Sequence, residues 1–68
     1  MNKSRNINFE VGDRLELKCL SLGSKGDGIF KQNNIVIIAA EAQIGKNYLI
    51  EISKIKENYA FGQILEEI

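Results

Sequence analysis

The chain has 68 residues, with nine basic and nine acidic side chains, no histidine, no proline and one cysteine. That length bounds it to one small domain: ordering it costs about 1.5 kcal/mol per residue, nearly all that burial returns, which argues against a deep catalytic pocket. Zero net charge excludes a global field that would draw the chain to nucleic acid or membrane, and one thiol with no imidazole excludes an internal disulfide or a thiolate metal site. No apolar run approaches the ~20 residues of a membrane span, so the expected setting is a reducing cytoplasm, without cofactor, metal or membrane partner.

Residues 1–8, "MNKSRNIN", are polar and read as a flexible lead-in to a domain over 9–68. "FEVGDR" supplies a turn at Gly12 and Asp13. In "RLELKCL" Leu15, Leu17 and Cys19 alternate with Arg14, Glu16 and Lys18, the period of a half-buried strand. "SLGSKGDG" holds three glycines in six positions and predicts a tight connection. A phosphate cradle is the other reading of this loop, but it matches neither nucleotide-binding fingerprint and precedes no helix.

In "IFKQNNIVIIAA" two apolar runs flank Gln32, Asn33 and Asn34, as in a hairpin. "EAQIGK" is a loop, and "AAEAQIG" has room for one helical turn. "NYLIEISKIK" carries Tyr48, Ile50 and Ile52 in phase. A bulge near Ser53 then keeps Ile55 inward with Lys54 and Lys56 outward. "YAFGQIL" is the last strand. Five short strands without a long helix must curl and close to hide their edges, which predicts an all-β, five-stranded antiparallel barrel.

The last strand sets the functional question. One of its faces carries Tyr59 and Phe61, the other Ala60, Gly62 and Ile64. A narrow barrel takes small residues inside where strands approach closely. The rings therefore face solvent beside Lys54 and Lys56, a platform on which unpaired bases stack while lysines meet phosphates. Lys25 and Lys31 are candidate phosphate contacts on the same side, with Arg14 and Lys18 as weaker ones. Phe30 is open between an exposed ring extending the platform and a core-filling one. Cys19 is in phase with the buried leucines. No carboxylate pair shares a strand face and no base adjoins a nucleophile, so no catalysis and no small-molecule substrate are expected.

Gly12, "LGSKGDGI", "IVIIA", Gly45 and "ISKIKENYAFGQI", in that order, resemble the TRAM domain, particularly its small free-standing archaeal form, over Val11 to Glu66. The resemblance implies an OB-like barrel that binds RNA, alone or attached to RNA-modifying enzymes, with kinship to cold-shock RNA chaperones. This chain departs from the family pattern at four places. Ala39 and Ala40 stand where Pro-Gly is usual, Lys46 at an acidic position, Phe30 at a small one and Gly62 at a second alanine. The expected partner is RNA, with tRNA, rRNA and mRNA not distinguished. The roles that follow are RNA chaperone or translation-associated factor, or a stable component of a ribosome or other ribonucleoprotein beside ribosomal proteins. A protein–protein module, with the aromatic face packed on a partner, is the alternative of another class.

Overall fold

A computed structural model describes residues 9–68 of the chain, so the lead-in expected over 1–8 lies outside the described residues. The strands are β1 (Arg14–Lys18), β2 (Ser21–Leu22), β3 (Gly28–Gln32), β4 (Ile35–Ala39), β5 (Asn47–Ile55) and β6 (Tyr59–Glu67). They form one sheet in the order β1-β5-β6-β4-β3-β2. The all-β, OB-like barrel expectation holds in this curled form.

Closure comes from a bend in one segment. Leu15 and Leu17 are half-buried and Cys19 is fully buried, while Arg14, Glu16 and Lys18 are exposed, as the alternation predicts. At the bend the Cys19 N–H donates to the Lys46 carbonyl beside β5, and the next amide, Leu20, donates to Ile29 of β3. The chain thus transfers its pairing from one end of the sheet to the other, and the two edges of the curled sheet are parts of one strand.

Three details correct the sequence reading. Ser21 and Leu22 pair with Ile29 and Gly28, adding a short sixth strand inside the segment expected to be a loop. The sheet is mixed, not purely antiparallel, because Val36, Ile37 and Ile38 of β4 pair in parallel with Tyr59, Ala60 and Phe61 of β6. The connection over 40–46 reverses the chain once and the β5–β6 hairpin reverses it again, so β6 returns alongside β4 in the same direction. That connection contains turns and bends with no helical turn. Its left-handed residues are Glu41, at φ 69°, and Gly45, at φ 89°.

The bulge near Ser53 is present: Ile52 pairs with Gly62 and Lys54 with Phe61, leaving Ser53 unpaired between them. A second shift, opposite Leu65, falls between Leu49 and Ile50. Inside the barrel Phe30, Ile37, Ile50, Ile52, Cys19 and Ala60 have no solvent exposure. Phe30 meets Tyr48 edge-on, with centroids 6.1 Å apart. The buried Tyr48 hydroxyl accepts the Gln43 N–H at 2.8 Å, which satisfies the phenol and ties the 40–46 connection to the core.

Candidate nucleic-acid interface

The orientation of β6 follows from the space beneath it. A Cβ at position 62 would collide with Ile50 Cγ2 and lie 3.4 Å from Ile37 Cγ2. Only a glycine lets β6 approach the core this closely. Ala60 is fully buried beside it. With the small residues inward, Tyr59 and Phe61 are turned outward: Tyr59 is 37% exposed and Phe61 is half-buried.

Residues directly opposite one another in a sheet share a face. The register therefore assembles two rows across four strands. The first runs Lys31, Val36, Tyr59 and Lys56, the last joined through the Lys56 N–H to the Tyr59 carbonyl at 2.8 Å. The second runs Ile29, Ile38, Phe61 and Lys54. With strands about 4.8 Å apart, the first row spans roughly 14 Å between its terminal lysines. Two rings and three aliphatic side chains occupy the middle, and cations stand at the rim.

Val36, Ile38 and Ile29 belong to this face and were missed in the sequence reading. The signal was the unbroken run "IVIIA". A strand with no alternation is apolar on both faces, so its second face needs a cover or a partner. In this fold the inner set Ile35, Ile37 and Ala39 fills the core, and Val36 and Ile38 lie half-buried beside the rings.

The rings meet edge to face, with centroids 5.5 Å apart and planes at 74°. They offer two surfaces steeply inclined to each other, so bases stacked on them are splayed apart. That geometry suits unpaired nucleotides and not a duplex, whose bases remain stacked on one another. A groove of about 450 Å3 lined by Ser53, Lys54 and Phe61 runs along the bulge. The Ser53 hydroxyl donates to the Phe61 carbonyl at 3.2 Å and fixes the backbone under that ring.

Among the described residues, Lys31, Lys54 and Lys56 have no carboxylate within ion-pairing distance. Arg14 does: its Nε lies 3.3 Å from Glu51 Oε1, which neutralises the weaker cationic candidate. Lys18 pairs in register with Asn47 at the far end of β5 from the rings. Lys25 is exposed at the tip of the β2–β3 connection. That connection is a backbone turn in which Gly23 N–H donates to Asp27 O and Gly26 N–H to Gly23 O, with Gly26 at φ 87°. Two of its amides are thereby engaged internally, which favours the turn over the phosphate cradle. Phe30 is completely buried, so the reading of it as an exposed stacking ring is corrected: the residue is core. The five residues Lys31, Lys54, Lys56, Tyr59 and Phe61 come together. Arg14 is on the same face one row on, its charge held by Glu51, while Lys25 sits at a loop tip, Lys18 at the far end of β5 and Phe30 in the core.

Comparison with known proteins adds family evidence. The family model for the TRAM domain matches residues 8–65. The chain is 32% identical over 63 residues to the small ribosomal subunit protein uS2cz of Tetradesmus obliquus, covering 91% of this chain and 12% of that protein. It is 35% identical over 57 residues to the ribosomal RNA large subunit methyltransferase E of Methanosarcina mazei, covering 84% of this chain and 21% of the relative. It therefore spans only a small part of these proteins. The solution structure of a conserved protein of Methanococcus maripaludis superposes with a TM-score of 0.82 at 27% identity, covering 88% of this chain and 86% of the other. No helix among the described residues is long and apolar enough to cross a membrane.

Proposed function

The chain belongs to the TRAM domain family, and on that premise we propose that it is a non-enzymatic RNA-binding barrel whose β3–β4–β6–β5 face takes unpaired RNA. TRAM is an RNA-binding domain found in RNA methyltransferases and translation factors. One observation carries the assignment to this face. The register sets Tyr59 and Phe61 among Lys31, Lys54 and Lys56 while Ala60 is buried and Gly62 packs on the core. Stacking is indifferent to base identity and lysines contact phosphate, so discrimination is weak and affinity is set by strand accessibility. With no net charge behind it, the face binds on the order of micromolar at physiological salt.

Such a face holds RNA single strands open, the action of a chaperone or of a factor accompanying translation. Titration of a short unstructured RNA at two salt concentrations tests it. Micromolar, salt-sensitive binding that is lost on joint replacement of Tyr59 and Phe61 by alanine supports the assignment. Salt-insensitive self-association that excludes RNA, read by light scattering, replaces it with a protein–protein module.

A second reading rests on the likeness to a ribosomal subunit protein. The barrel is then a stable part of a ribonucleoprotein, and it co-sediments with ribosomal particles through high-salt sucrose. Recovery only in the free fraction removes that reading.

A further inference from the structure

Beyond the two rows, β4 and β6 part company. Their pairing ends at Ile38 and Phe61, and the space between them opens into a cleft of about 330 Å3 lined by Ala40, Glu41, Gly62, Gln63 and Ile64. Gln63 is exposed and lies two residues after Phe61, on the same face and one strand repeat, about 6.6 Å, further along. Resting on the RNA-binding reading above, we propose that this cleft reads the edge of the base next to the one stacked on Phe61, and that it selects guanine.

Three features support the assignment. The volume lies at the low end for a ligand pocket and is enough to admit one base. Among its lining residues only Glu41 and Gln63 have polar side chains, a carboxylate and a carboxamide. The carboxylate repels phosphate, so the group that enters must present hydrogen-bond donors. Guanine alone among the four bases carries two adjacent donors, N1–H and N2–H, matching the two oxygens of Glu41. Its neighbouring O6 accepts from the Gln63 amide. Uracil turns carbonyl oxygens toward the same carboxylate. The nearest other carboxylate on this face, Glu51, pairs in register with Gln63 but is already engaged by Arg14.

Glu41 holds φ 69°, a region disfavoured for residues with a Cβ, so its replacement by glycine relieves the backbone and removes the carboxylate together. That makes Glu41→Gly a variant that loses the reader without losing the fold.

The test is a fluorescence anisotropy titration with labelled oligo-U octamers and the same octamers carrying one central G, A or C. The G octamer is expected to bind about tenfold tighter than the other three, as one bidentate base contact allows. Glu41→Gln and Glu41→Gly abolish the preference without weakening oligo-U binding, and Gln63→Ala reduces it. Wild-type affinities within about twofold of one another, or a G preference that survives both Glu41 variants, overturn the pocket and leave the stacking face intact. Failure of every octamer to bind overturns the pocket and the RNA reading together.

Discussion

Salt dependence tests the proposed RNA interface against a generic basic surface, because the proposal names the cations that would count. Lys31, Lys54 and Lys56 flank the rings in register, whereas Arg14 is bound to Glu51 at 3.3 Å. Each phosphate neutralised on a single strand contributes about −0.7 to the slope of log K against log salt, so three lysines give a slope near −2.1. Raising salt fourfold, from 50 to 200 mM, then weakens binding by about 18-fold. Joint replacement of Lys54 and Lys56 by alanine leaves one contact, a slope near −0.7 and a loss of only about 2.6-fold over the same range. Arg14→Ala leaves the slope at its wild-type value. A wild-type slope near −2.8 adds Lys25 to the footprint. The assay is anisotropy with a labelled unstructured RNA at four salt concentrations. A flat wild-type profile, or a wild-type slope in the double-lysine variant, refutes the proposed lysine rim.

Replacing Tyr59 or Phe61 by alanine removes one stacking surface and costs about 1–3 kcal/mol of RNA binding each, measured in the same titration, with the circular dichroism spectrum retained. Gly62→Ala forces a Cβ against Ile50 and lowers urea-unfolding stability by about 1–3 kcal/mol, and an unchanged midpoint contradicts the close packing of β6. Phe30→Ala empties a fully buried position at a cost of about 3–5 kcal/mol. That is comparable to the whole stability of so small a domain, so the variant is expected to be largely unfolded by circular dichroism. If Phe30→Ala instead stays folded and loses only RNA affinity, Phe30 is a surface residue after all.

Most of the strands were legible in local patterns. The alternation in "RLELKCL" and the parity change at Ser53 depend only on which side chains can share a face, and both appear in the fold. The orientation of β6 was legible for the same reason, since two rings and two small residues on opposite faces of one strand leave few ways to pack. Phe30 was not. Its ring partner Tyr48 comes from another part of the chain, and no local pattern says whether a ring at that position has a cavity to enter.

Periodicity along single strands thus determined by itself that this chain is a small β-barrel with an aromatic strand turned outward, because a strand's faces are set by its own residues. Only the tertiary structure decided the parallel β4–β6 pair, the hand-over at Cys19 and Leu20, and the cleft beside Gln63. It also decided that Val36 stands between Lys31 and Tyr59, and Ile38 between Ile29 and Phe61. Val36 and Tyr59, like Ile38 and Phe61, lie more than 20 residues apart in sequence, and the register that joins them is set by how the interior packs and closes.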